Sequence, residues 1–142
     1  MVGTMVSHYR ILESIGAGGM GVVYLMARSW GAAMAPVFLA VEPRFKAALV
    51  IVGGFYAQRS MPEAEAINFG PRVKVPVLML NGRFDFFFPE EGSQIPMFRL
   101  LGTPDAQKRR VVYDPGHNIP RPDLIRESLD WLDTHLGPVR QP

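Results

Sequence analysis

The stretch Val75-Pro76-Val77-Leu78-Met79-Leu80-Asn81-Gly82-Arg83-Phe84-Asp85 is an apolar run that ends in an Asn-Gly pair and an acidic residue. An uninterrupted apolar run of this length is typical of a central parallel strand that is covered on both faces. Pro76 suits only the beginning of such a strand, because proline cannot donate to the ladder. The sequence therefore predicts a parallel sheet, with Asp85 just past the end of one strand.

Outward from this stretch, apolar runs alternate with helical patterns. Four parallel strands are predicted, at residues 22–27, 47–52, 76–81 and 109–113. Helices are predicted at residues 29–40, 62–67, 90–101 and 122–136, with breaks or kinks at Pro36 and Pro96. Residues 9–15 are predicted to add an antiparallel edge strand through a glycine turn at 16–21. This alternation implies a single α/β domain over residues 1–142, a three-layer sandwich with a mostly parallel sheet.

Composition excludes several classes of function. The 142 residues include no cysteine, so no disulfide, thiolate zinc site or cysteine nucleophile is expected, and the chain fits a cytoplasmic protein. The net charge is +2 and the basic residues are scattered, so nucleic-acid binding has no compositional support. No signal peptide is evident, and the longest apolar run, residues 31–41, is too short to span a bilayer.

Three polar residues, Ser29, Asp85 and His117, each follow a predicted strand. Nucleophile, acid and base in this chain order are typical of the α/β-hydrolase triad and differ from the orders of the two best-known serine protease folds. Ser29 lies in Ala27-Arg28-Ser29-Trp30-Gly31, a nucleophile-elbow pattern with alanine at the first glycine position, where small flanking residues should avoid clashes. Each residue also has an ordinary interpretation: a helix N-cap for Ser29, a helix-capping loop aspartate for Asp85 and a surface loop histidine for His117.

The same pattern predicts the surroundings of the reacting group. The amide N–H of Trp30, at the start of the helix after Ser29, is placed to stabilise an oxyanion. Gly54 and Phe55, which follow the strand at 47–52, are expected to border the acyl site. This chemistry calls for neither a metal ion nor another cofactor.

Residues 28–139 resemble the C-terminal part of dienelactone-hydrolase-like and acyl-peptidase-like α/β-hydrolases, above all hydrolase domains attached to bacterial Ser/Thr kinases. The matching stretches are Ser29-Trp30-Gly31, Glu42-Pro43-Arg44-Phe45-Lys46-Ala47, Val75–Asp85, Gly116-His117 and Asp130-Trp131-Leu132. The resemblance implies that Ser29 is the nucleophile, Asp85 the acid and His117 the base of ester or amide hydrolysis through an acyl-enzyme.

The resemblance has one large departure. Hydrolases of this kind have several strands and helices before the nucleophile, including a loop that donates a second oxyanion N–H. Only 28 residues precede Ser29 here, and none of them matches that loop. Since one oxyanion donor is typically worth a hundredfold or more in rate, weak activity is expected unless another amide substitutes.

A second resemblance covers residues 7–27. The motif Gly16-Ala17-Gly18-Gly19-Met20-Gly21-Val22 and its flanks resemble the opening glycine-rich hairpin of a bacterial Ser/Thr kinase. The strand lysine, the catalytic-loop aspartate and asparagine, and the metal-binding Asp-Phe-Gly motif that a kinase needs are missing from the sequence. The chain is therefore expected to join a kinase-like beginning to a hydrolase-like end, with no kinase activity.

The leading functional hypothesis is a serine carboxylesterase that acts on small, accessible acyl esters. The main alternative is a truncated, chimeric hydrolase-fold domain with little or no turnover, and a nucleotide-binding module built on residues 16–21 is a third. The predicted crossovers leave only the helix at 122–136 for one face of the sheet. Because uncovered apolar sheet and a free edge favour association, a homodimer or higher oligomer is predicted.

Overall fold

The computed structural model describes residues 5–6, 9–10, 22–58 and 60–137. At the N-terminus, β1 (Met5–Val6) pairs antiparallel with β2 (Tyr9–Arg10). The partner of residues 9–10 is thus β1 rather than the main sheet. The rest of the predicted edge strand 9–15 and the kinase-like glycine turn at 16–21 lie outside the described residues.

The main sheet has four parallel strands in sequential order. They are β3 (Val23–Arg28), β4 (Phe45–Ile51), β5 (Val77–Gly82) and β6 (Lys108–Tyr113). The four predicted parallel strands are confirmed, each to within two residues. Sequential parallel order requires a crossover after every strand, so the carboxyl ends of all four strands lie at one edge of the sheet.

Four α-helices lie in the described part of the chain: α1 (Trp30–Val41), α2 (Ala66–Phe69), α3 (Ile95–Leu100) and α4 (Arg121–Leu136). Short 3₁₀ turns span Pro62–Ala64, Gly70–Arg72 and Asp105–Gln107. None of the helices in these ranges is long and apolar enough to cross a membrane.

The helices that contain Pro36 and Pro96 differ in regularity. Pro36 does not end its helix: it is buried inside α1, which continues to Val41. The helix predicted over residues 90–101 is divided into a π-helical turn, Glu90–Gln94, and α3. Pro96 follows directly after the π-helical turn, in the first turn of α3, and the Ile95 amide before it still donates to the Glu90 carbonyl. The change in helical hydrogen bonding therefore lies at this proline, where breaks in helix geometry usually occur.

Helices cover both faces of the sheet, as the three-layer prediction requires. Ala32, Ala35 and Leu39 of α1 pack with Val50 and Met79 of the sheet into one core cluster. On the opposite face, α4 places Trp131 in a second cluster, which also contains Leu49, Ile51, Leu78, Leu80 and Ile119. This double burial explains why β5 is apolar without alternation.

The strand β3 is an edge of the sheet and is incompletely covered. Leu25 and Ala27 pack against the α1 cluster. Their alternate neighbours Tyr24 and Met26 remain 43% and 50% exposed. α4 packs across β4, so the α4-side face of β3 is left with apolar surface that is accessible.

Candidate active site

Ser29 forms a one-residue turn between β3 and α1. Its backbone has φ 56° and ψ −121°, a conformation that a non-glycine residue adopts only under strain. The amide of Ser29 donates a hydrogen bond to the carbonyl of Ile51, at the end of the adjacent strand, at 2.9 Å. A strained serine in a sharp strand-to-helix turn is the geometry of a nucleophile elbow.

The reason proposed for a small residue at position 31 is wrong. Apart from its chain neighbours and the nearby backbone of α1, a Cβ built on Gly31 meets no described atom within 4 Å. The other flank, Ala27, is only 9% exposed and belongs to the α1 core cluster. Packing therefore restricts the residue before the elbow, whereas the position after it faces open space.

His117 lies on the loop that follows β6, above the end of β5. Its Nε2 atom is 2.7 Å from the Ser29 Oγ. The loop approaches β5 closely: a Cβ on Gly82 would lie 1.7 Å from the carbonyl oxygen of Gly116. Glycine at position 82 is therefore what allows the histidine loop to cross the end of this strand.

Asp85 is 3% exposed and lies on the other side of the His117 ring. Its Oδ2 is 2.8 Å from His117 Nδ1, and its Oδ1 accepts hydrogen bonds from the amides of Phe87 and Phe88 at 3.0 and 3.2 Å. An ionised carboxylate only accepts, so Nδ1 carries the proton and Nε2 is free to accept from the Ser29 hydroxyl. The structure thus brings all three predicted residues into one hydrogen-bonded series.

Aromatic side chains surround the imidazole. Phe87 lies edge-on to the His117 ring at a centroid distance of 4.8 Å, and buried Phe88 stacks on it at 5.9 Å. Phe84, Phe86 and Trp30 are 70%, 73% and 68% exposed. The His117 ring therefore packs on apolar side chains, and further aromatic residues close in sequence to Ser29 and Asp85 are exposed to solvent.

The predicted oxyanion and acyl-site residues differ in their backbone partners. Trp30 is the first residue of α1, and the first four N–H groups of a helix have no intrahelical acceptor. The amide of Phe55 donates to the carbonyl of Ser93 at 3.3 Å, and a Cβ on Gly54 would lie 2.3 Å from the Ser93 Oγ. The Phe55 amide is therefore already used, and Gly54 packs closely against the turn before α3, so Trp30 is the better candidate for an oxyanion donor.

Two adjoining cavities lie beside the series, although neither Ser29 nor His117 lines them. The smaller, about 210 Å³, is lined by Trp30, Ala33, Met34, Tyr56, Gln58, Ser60, Glu65 and Ala66. The larger, about 530 Å³, is lined by Phe55, Tyr56, Ala57, Ser60, Pro62, Glu65, Ile67, Asn68, Gly92 and Pro96. Tyr56 connects them to the site, because its ring lies 5.7 Å from that of Phe88.

A hydrogen bond that was not predicted from the sequence joins two loops of the site. The Arg28 guanidinium donates a hydrogen bond to the Asn118 Oδ1 at 3.1 Å. Arg28 precedes Ser29 and Asn118 follows His117, so their proximity could have been inferred once the serine and histidine were paired. The contact links the serine turn to the histidine loop.

No protein-family model and no curated protein sequence matches the chain. Solved structures do resemble it. A cold-adapted esterase from an Arctic intertidal metagenomic library is 26% identical, with a TM-score of 0.65 over 78% of this chain and 48% of the esterase. TT1662 from Thermus thermophilus is 22% identical, with a TM-score of 0.69 over 83% of this chain and 56% of that one.

A Klebsiella pneumoniae protein with the provisional name dienelactone hydrolase is 21% identical, with a TM-score of 0.64 over 78% of this chain and 52% of that one. The chain has an α/β-hydrolase fold. It spans about half the length of these structures, 48–56% of each. The fold class predicted from the sequence is therefore confirmed, in a chain that corresponds to part of its structural neighbours.

Proposed function

We propose that this chain is a serine hydrolase that cleaves small carboxylic esters through an acyl-enzyme. The observation that carries the proposal is the hydrogen-bonded series from Ser29 Oγ to His117 Nε2 at 2.7 Å and from His117 Nδ1 to Asp85 Oδ2 at 2.8 Å. Both distances are within the reach that proton transfer and imidazole orientation require. Similarity to a solved esterase at 26% identity supports the same reaction class.

In the first half of the reaction, Ser29 Oγ attacks the ester carbonyl carbon while its proton passes to His117 Nε2. The Trp30 amide stabilises the negative charge that develops on the carbonyl oxygen. The bond between the carbonyl carbon and the alcohol oxygen then breaks, and His117 returns its proton to the departing alcohol. Asp85 stays ionised throughout and stabilises the imidazolium.

In the second half, water repeats these steps on the acyl-enzyme. His117 Nε2 takes a proton from water, whose oxygen attacks the acyl carbon and displaces Ser29 Oγ. The proton returns to the serine oxygen, the carboxylic acid is released, and the site is restored. Esters are favoured over amides because an alcohol leaves more easily than an amine. This matters in a site whose main candidate oxyanion donor is the Trp30 amide.

The test is hydrolysis of a short-chain chromogenic ester by the wild type and by Ser29→Ala. We expect kcat/KM to fall by about 10³-fold or more, since loss of the nucleophile removes the acyl-enzyme route. Thr134→Ala is the matched control, because the Thr134 hydroxyl donates only to the Asp130 carbonyl on the exposed side of α4. Equal rates for the wild type and Ser29→Ala would overturn the proposal.

One observation favours a rival function. Neither Ser29 nor His117 lines the two cavities, so a hydrolase-fold domain without turnover is the alternative. It predicts no ester hydrolysis above the buffer rate by the folded wild type, and no difference between the wild type and Ser29→Ala.

A further inference from the structure

Gln94 is a buried polar residue that the mechanism above does not use. It ends the π-helical turn Glu90–Gln94 and its side chain is fully enclosed, at 0% exposure. Its amide nitrogen donates two hydrogen bonds of 2.8 Å, to the carbonyls of Gly82 and Phe88. Gly82 and Phe88 lie at the two ends of the loop that carries Asp85, so the Gln94 side chain binds this loop at both ends.

The orientation of the Gln94 amide is fixed by a cation. Arg110, on β6, donates from Nη2 to the Gln94 Oε1 at 2.7 Å and to Glu90 Oε1 at 2.8 Å. Because a guanidinium has no acceptor, only the oxygen of Gln94 can face it, and both N–H groups must face the loop. The ion pair is largely enclosed, with side-chain exposures of 14% for Arg110 and 25% for Glu90, so it is less screened than a surface pair.

Phe88 transmits this constraint to the reacting groups. Its carbonyl accepts from Gln94, its amide donates to Asp85 Oδ1, and its ring stacks on His117. The opposite end of the loop contacts the histidine loop, since Gly82 lies against the carbonyl of Gly116. A shift of the loop would therefore change the separation between Asp85 Oδ2 and His117 Nδ1.

We propose that Gln94 is a positioning residue that holds the Asp85 loop at the distance the His117 hydrogen bond requires, with Arg110 orienting the amide. The inference deepens the proposed function and rests on it. Gln94 touches no reacting atom. It should therefore affect kcat, through the position of Asp85 and His117, and should leave substrate binding unchanged.

The kinetic test is Gln94→Met, which keeps the length of the side chain and removes both donors. We expect kcat to fall about 10–100-fold with KM within about twofold, as a displacement of about 1 Å produces. Thr103→Val is the matched control: Thr103 is 3% exposed and donates to the Val75 carbonyl at 2.8 Å, before β5 and away from the site. It should lose stability without losing kcat.

A double-mutant cycle separates positioning from a merely structural role. If Gln94 acts through Asp85, Gln94→Met should lower kcat by less than about twofold in an Asp85→Asn background. Equal losses in both backgrounds would overturn the proposal. If Gln94→Met does not fold, Gln94→Glu serves instead, because it keeps an oxygen for Arg110 but has no donor for the loop carbonyls.

An activity-independent readout distinguishes failure of this inference from failure of the proposed function. The His117 Nδ1 proton, which is hydrogen-bonded to Asp85 Oδ2, should give a downfield NMR resonance, assigned by its loss in Asp85→Asn. We expect the resonance to disappear or move upfield in Gln94→Met and to persist in Thr103→Val. An unchanged resonance in Gln94→Met would overturn the positioning role, whether or not the wild type hydrolyses esters.

Discussion

Replacing Asp85 with asparagine should disable the base while leaving the fold nearly intact. Asp85 accepts three hydrogen bonds, two at Oδ1 from the Phe87 and Phe88 amides and one at Oδ2 from His117. An asparagine can satisfy the two amides only with its carbonyl oxygen, which forces its NH₂ group toward His117 Nδ1. The imidazole must then carry its proton on Nε2, which faces Ser29 and can no longer accept the hydroxyl proton.

The magnitude follows from these contacts. The change of tautomer preserves the number of hydrogen bonds but turns three charge-assisted bonds into neutral ones, so the free energy of unfolding should fall by about 1–3 kcal/mol. The same substitution in a serine protease triad lowers kcat by about 10⁴, which corresponds to about 5 kcal/mol of transition-state stabilisation. Activity and stability should therefore separate clearly in Asp85→Asn.

The assay is steady-state hydrolysis of a short-chain chromogenic ester, with urea unfolding on the same protein samples. Asp114→Asn is the matched control. Asp114 also follows a strand of the main sheet, but its side chain is 91% exposed. If folded Asp85→Asn keeps more than about a tenth of the wild-type kcat, Asp85 does not set the tautomer and the reasoning is refuted.

Three further changes test other parts of the structure. Gly82→Ala should displace the histidine loop, because the new Cβ would lie 1.7 Å from the Gly116 carbonyl oxygen; thermal unfolding should show a loss of about 1–3 kcal/mol, with loss of esterase activity. Burial lowers the pKa of His135, whose ring packs on Trp131 at 4.2 Å, below the usual 6.5. Protonation then favours the unfolded chain, so stability should be full above pH 6.5 and fall below it, and His135→Gln should flatten this slope in pH-dependent urea unfolding. The predicted homodimer should use the exposed apolar edge at β3, so Met26→Lys should convert it to a monomer by light scattering.

Each of these has a contrary result. A fully active Gly82→Ala protein would mean that the histidine loop does not depend on the close approach to β5. If stability depends on pH equally in the wild type and in His135→Gln, another titratable group causes the loss of stability in acid. A wild-type protein whose mass in solution stays that of a monomer at all concentrations would contradict the predicted association.

The central strands β4 and β5 were predictable because residues that are buried on both faces of a parallel sheet are apolar without alternation. The run from Val77 to Leu80 shows this directly, whereas the edge strand β3 is partly exposed and β6 begins with Lys108-Arg109-Arg110. Ser29, Asp85 and His117 were predicted from their chain order and their places after strands, and of those strands only β5 is buried on both faces. Their hydrogen bonding required only that the carboxyl ends of parallel strands share one edge.

Other features depend on contacts that no short pattern encodes. Gln94 acts on the carbonyls of Gly82 and Phe88, and every residue has a carbonyl, so nothing in the sequence marks its partners. Pro96 indicates a disturbance of the helix, but the π-helical turn that runs directly into α3 before it has no mark in the sequence. The open space at Gly31 depends on what packs over the elbow, which lies beyond the reach of local sequence.

Covalent labelling of Ser29 tests the central claim most directly. A fluorophosphonate bonds to an activated serine oxygen with loss of fluoride, and peptide mapping by mass spectrometry locates the adduct. The account predicts stoichiometric modification of the wild type at Ser29, with labelling strongly slowed in His117→Ala and unchanged in His135→Ala. A wild-type protein that resists the reagent, or one that carries the adduct at another serine, would contradict it.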